Sequence, residues 1–249
     1  MRNRWLFLRG ICTASFVCVA ASSFAQTEEP PADEPAVAEC FLVDPNLAPE
    51  DAVALCTQVV TAPPSHDLLA DALYNRGIAL RELGKFDASA ADLERSQALR
   101  PDPGTQRMLA WTYRALGRLD EADALYTSVL AVDDTLQGRL SRCVVRQDLG
   151  QYEAAAKDCD LARAQAPDNL DALYFSTRVY NYLSDGKTAL ELARRLVALD
   201  PGNPRNDAEF VWALHFTGQT RRALARARVV LSKNPENTEM LQFIEAVSP

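Results

Sequence analysis

The sequence predicts an all-α solenoid built from stacked helix–turn–helix units, on three observations. A short turn recurs at an almost constant interval. Leu83-Gly84-Lys85-Phe86 returns as Leu116-Gly117-Arg118-Leu119 and Leu149-Gly150-Gln151-Tyr152, each 33 residues on. It returns again as Leu183-Ser184-Asp185-Gly186 and Thr217-Gly218-Gln219-Thr220, each 34 residues on. Second, Pro101, Pro167, Pro201 and Pro235 close four of the units, with Asp134 in the corresponding place of the other. Third, the composition favours helix: alanine and leucine dominate and only 10 of 249 residues are glycine. A hairpin this short cannot hide its apolar side alone, so the copies must lean on one another.

Residues 1–25 read as a cleaved signal peptide: a basic start (Arg2, Arg4, Arg9), an apolar run Ile11–Ala21, and small residues in Ser23-Phe24-Ala25 at the processing site. The run is short for a membrane span, so no stable membrane insertion is expected after cleavage; the alternative is an uncleaved anchor. Residues 26–39, with Pro30, Pro31, Pro35 and five acids, read as a disordered linker. The expected product is periplasmic or secreted.

Residues 40–66 form a degenerate N-terminal hairpin, in which Pro49-Glu50-Asp51 opens a helix with acids where the dipole favours them and Pro63-Pro64 ends it. Five full units follow, at about 70–102, 103–135, 136–169, 170–203 and 204–237. In the first, Ala70–Leu83 is one helix, stopped at Leu83-Gly84, and Phe86–Leu99 is the next, stopped before Pro101. Residues 238–249 carry an amphipathic pattern, Thr238–Val247, that would cap the last unit.

This period and layout resemble the tetratricopeptide repeat. The small slot of the family's first helix holds Gly77, Ala110, Cys143, Thr177 and Val211; the small slot of the second holds Ser89, Ala122, Ala155, Ala189 and Ala223. The aromatic slot of the second helix holds Leu93, Tyr126, Cys159, Ala193 and Ala227. The tryptophan slot is never filled, and the third unit sets Arg139, Arg142 and Arg146 where apolar residues are usual. The resemblance implies a right-handed stack whose first helices line a concave groove. On it, the partner-binding residues are Tyr74, Arg81, Arg107, Trp111, Arg114, Arg178, Tyr182, Trp212, His215 and Phe216, of types enriched at binding hot spots. The Lys/Asn carboxylate clamp of cytosolic relatives is missing from the matching slots. The same template puts Cys40 and Cys56, and Cys143 and Cys159, in facing slots of one hairpin each. It thus implies two disulfides, Cys40–Cys56 and Cys143–Cys159, in an exported protein; free thiols or a metal site are the alternatives.

The formal net charge of −8 disfavours a nucleic-acid partner. No phosphate loop, nucleophile elbow or zinc-protease motif occurs, and there are only two histidines, so no catalytic, cofactor or metal residue is assigned and no enzyme activity is expected. The expected function is an exported adaptor holding a protein or peptide partner in its groove within a cell-envelope assembly. The alternative is a structural or oligomerising module that uses its ends or the convex cluster Arg221, Arg222, Arg226 and Arg228.

Overall fold

A computed structural model of the chain describes Cys40 and residues 47–247. The expected signal peptide and linker, and residues 41–46 of the expected N-terminal hairpin, lie outside these. Among the described residues there are twelve α-helices and no strands. They are α1 (Pro49–Thr61), α2 (His66–Glu82), α3 (Phe86–Leu99), α4 (Pro103–Ala115), α5 (Leu119–Val132), α6 (Leu136–Asp148), α7 (Tyr152–Gln165), α8 (Leu170–Tyr182), α9 (Gly186–Leu199), α10 (Pro204–Phe216), α11 (Thr220–Lys233) and α12 (Thr238–Val247). Each packs on its chain neighbours, and α2, α4, α6 and α8 each also meet the first helix of the next pair. The apolar interior is accordingly a row of local clusters along the stack, and not a single shared centre. The chain is an all-α solenoid of helical repeats.

The turns explain the period. In each of the five, the amide two residues past the C-cap reaches back five residues: Lys85 N–H to Leu80 O at 2.9 Å, Arg118 to Tyr113 at 2.8 Å, Gln151 to Arg146 at 2.8 Å, Asp185 to Tyr180 at 3.0 Å, Gln219 to Leu214 at 2.9 Å. This closure needs a left-handed residue at its centre. Gly84, Gly117, Gly150 and Gly218 supply it with φ between 70° and 76°. In the fourth turn Ser184 takes the strain at φ 56°. The glycine there has moved to Gly186, where a Cβ would stand 2.6 Å from the carbonyl carbon of Phe216.

The first helices start on side-chain caps: Ser65, Asp102, Thr135, Asn169 and Asn203 each accept a backbone N–H of the first turn. The Ser65 cap sets one correction. The first helix of the first unit begins at His66, four residues before the expected Ala70. Within a pair the helices cross closely at the small slots, all buried. Ser89, in an alanine slot, donates to Gly77 O at 2.7 Å.

The arginines of the third unit are absorbed as a buried ion cluster. Asp158, 1% exposed, accepts from Arg142 at 2.6 and 2.8 Å, from Arg146 at 2.7 Å and from Arg139 at 3.0 Å. The first unit has the simpler version, Arg76 bidentate on Asp92 at 2.7 Å with the same 16-residue spacing. Cys143 is joined to Cys159 and Cys40 to Cys56, with Cα atoms 5.6 and 4.9 Å apart.

Candidate functional site

The period of 34 places Arg178 and Tyr182 of α8 on the same face as Trp212 and Phe216 of α10, and within each helix the two are four residues apart, one above the other. Between them lies a recess of about 480 Å³. Its walls are the rings of Tyr174, Tyr182, Trp212 and Phe216. Its polar groups are Arg178, Asn181, Glu209 and Glu239. Of the ten groove residues, four meet here.

The aromatic walls are fixed by their neighbours. Trp212 stacks on Phe216 at 6.0 Å and meets the edge of Phe243, from α12, at 4.9 Å. Its indole N–H donates to Glu239 Oε1 at 2.8 Å. Tyr182 stacks on Tyr152 at 4.8 Å and its hydroxyl accepts from Arg178 at 3.0 and 3.2 Å. The guanidinium of Arg205 lies over the Tyr174 ring at 3.5 Å.

The floor is polar and buried. Glu209 and Asn181 are each 5% exposed. Asn181 Nδ2 donates to Glu209 Oε2 at 2.8 Å and to the Glu209 backbone carbonyl at 3.0 Å. Because a backbone carbonyl only accepts, the amide orientation is settled. Its Oδ1 is then buried with no hydrogen-bond partner among the described residues. Burial pushes the Glu209 carboxyl up to about 7; the Asn181 hydrogen bond pulls it back and the Glu239 charge pushes it further up. Burial likewise raises the Tyr174 hydroxyl.

Three more of the ten gather at a smaller place. Trp111 and Arg114 line a recess of about 160 Å³ with Tyr126, Ser141 and Val144. Arg81 lies over the Trp111 ring at 4.7 Å. The remaining three are engaged elsewhere. Tyr74 packs into the core between the first two repeats. Arg107 pairs with Asp133 at 3.6 Å. His215 lies edge-on to Phe243 at 5.5 Å, behind the recess wall. In the convex cluster, Arg226 turns to buried Asp207 at 2.5 Å and Arg222 bonds Gln219.

Sequence reasoning missed Asn181, Glu209 and Glu239. A signal existed for Glu209, whose slot holds Phe175 in the preceding repeat; Asn181 had none, since the same slot holds Arg81, Arg114, Gln147 and His215 in the other repeats. Glu239 had none, since it reaches the recess only through the docking of α12.

Among the described residues, no group of three or more His, Cys, Asp or Glu side chains is placed to hold a metal, and no helix is long and apolar enough to cross a membrane.

Family models described as tetratricopeptide repeat match residues 70–103 and 107–140. No curated protein matches the chain. Among solved structures, a tetratricopeptide repeat protein from Parabacteroides merdae superposes with a TM-score of 0.74 at 15% identity, over 86% of each chain. MamA from Desulfovibrio magneticus RS-1 gives 0.62 at 16% identity, over 68% of this chain and 97% of its own. YrrB, described as a TPR protein with an unusual peptide-binding site, gives 0.61 at 14% identity, over 75% and 96%. The matched segments are tetratricopeptide repeats, and repeat period and hairpin geometry continue that fold through the following units.

Proposed function

We propose that this protein is an exported adaptor that holds a segment of a protein partner along the inner face of its repeats, in a cell-envelope assembly. The observation that carries the reading is the recess between α8 and α10. Four side chains of the types that dominate binding energy, Arg178, Tyr182, Trp212 and Phe216, converge on about 480 Å³ of open space. Tyr182 and Phe216 are 46% and 38% exposed, so their rings are available to a partner. A peptide-binding site in YrrB, on the same fold, supports the class of ligand. Export rests on the basic and apolar pattern of residues 1–25 and on the two cystines, which persist in oxidising compartments. The chemistry is recognition, and no covalent step is assigned.

The test is photo-crosslinking from a residue beside the groove, in envelope fractions of cells making the full chain. A Trp111→Ala/Trp212→Ala double variant should lose the crosslinked partner. Capture that survives the double change overturns the groove reading. The convex arginine face has fewer free groups to offer, because Arg226 is committed to Asp207.

A further inference from the structure

We propose that the recess between α8, α10 and α12 receives a lysine side chain of the bound segment, whose ammonium donates to Glu209, to Asn181 Oδ1 and to Glu239. This rests on the groove reading above and names the chemistry the groove selects.

The first argument is the empty acceptor. Asn181 lines the recess and is nine-tenths buried, and its covered Oδ1 has no donor among the described residues. Buried acceptors are almost always satisfied, and leaving one bare is costly. An occupant that restores it must donate. The second argument is the sign of the surroundings. Two carboxylates face the recess against one cation, Arg178, which is itself tied to the Tyr182 hydroxyl. A carboxylate or phosphate ligand would meet repulsion; a cation would meet attraction. The third is count and shape. An ammonium carries three donors and no acceptor, and three acceptor groups surround the space. The rings of Trp212, Tyr182 and Phe216 would cover the methylene stem and offer their faces to the charge.

The site also predicts how binding responds to pH. Of the helices packed on α10, α8 presents Tyr174 and Arg178 to Glu209, and α12 presents Glu239. The charged residues of α9 are exposed to solvent, and α11 directs Arg226 to Asp207. Burial holds a proton on Glu209 up to about pH 7. An ammonium expels it, so lysine binding releases a proton and strengthens as the pH rises, by about tenfold between pH 6 and pH 8.

The experiment titrates the full chain with end-blocked octapeptides of alanine and glycine bearing one central lysine, norleucine or arginine. It follows the Trp212 indole N–H resonance, assigned with Trp212→Phe. The lysine peptide should saturate the shift about tenfold more tightly than the norleucine peptide, the scale of one charge-assisted contact. Glu209→Gln should abolish the pH response, and Glu239→Gln should weaken lysine binding while the buried floor stays intact. Equal binding of lysine and norleucine, or lysine binding untouched in both variants, overturns the proposal. Tighter binding of the arginine peptide overturns the choice of lysine. If the peptides bind indifferently to the central residue yet are lost in Trp111→Ala/Trp212→Ala, the groove stands and only the lysine fails. If none binds at either tryptophan, both fail.

Discussion

The third repeat and the joint between the fourth and fifth repeats both bury charge, and they resolve it differently. Around Asp158 the chain supplies every partner: Arg139, Arg142 and Arg146 fill both carboxylate oxygens, and the Cys143–Cys159 bond staples the same two helices. Beside Glu209 the chain stops one donor short: Asn181 Oδ1 is left without a partner in the floor of a recess that both residues line. The stack is one-dimensional, so each joint can be settled independently of the rest. A polar cluster closed on itself serves the fold. One left open on a recess is poised for something outside it.

Breaking the closed cluster should have the largest effect. Asp158→Ala strands buried arginines, and loss of one side of such a pair costs about 3–5 kcal/mol; urea unfolding should report it, and a loss below 1 kcal/mol would mean the arginines relax to solvent. The Cys143→Ser/Cys159→Ser double variant should lose about 3 kcal/mol in the same assay, because the closed loop is short. The open joint should answer to pH instead. The folded state raises the Glu209 carboxyl from 4.5 to about 7, so the folded chain keeps a proton that the unfolded chain has given up. That stabilisation is whole below about pH 4.5 and is lost as the pH rises through 7, amounting to about 2–3 kcal/mol between pH 5 and pH 8. Glu209→Gln should remove this slope and change little at pH 5; an unchanged slope would place the titration elsewhere. The smallest effect belongs to the fourth turn. Ser184→Gly relieves a left-handed residue and should raise stability by up to about 1 kcal/mol, read as a higher melting temperature.

The turns were legible because their requirement is local: a left-handed residue at Gly84, Gly117, Gly150 and Gly218 leaves a mark in four letters of sequence. Phe86–Leu99 and Thr238–Val247 were placed to the residue, since each is bounded by a turn and a proline or a polar run. The start of α2 was not, because the Ser65 cap lies beyond the apolar pattern that marked the helix. The arginines of the third unit looked out of place for a physical reason. Their counter-ion, Asp158, stands on the partner helix, although the Arg76–Asp92 spacing in the first unit repeats it. Half of the recess could be read from the period, which aligns Arg178 with Trp212 and Tyr182 with Phe216. The other half could not: Asn181, Glu209 and Glu239 come together only through the packing of three helices.

The terminal helix α12 gives that packing a further consequence. It seals the end of the stack with Met240 and Phe243, both fully buried, and carries Glu239 into the recess. Among the described helices α12 packs mainly on α11, and a helix supported on one side is the first part of a linear array to peel away. Peeling here would dismantle one wall of the recess while leaving the repeats before it whole. Whatever sits against Glu239 therefore pins the tail, and slower amide exchange along Thr238–Val247 is the direct reading of an occupied groove.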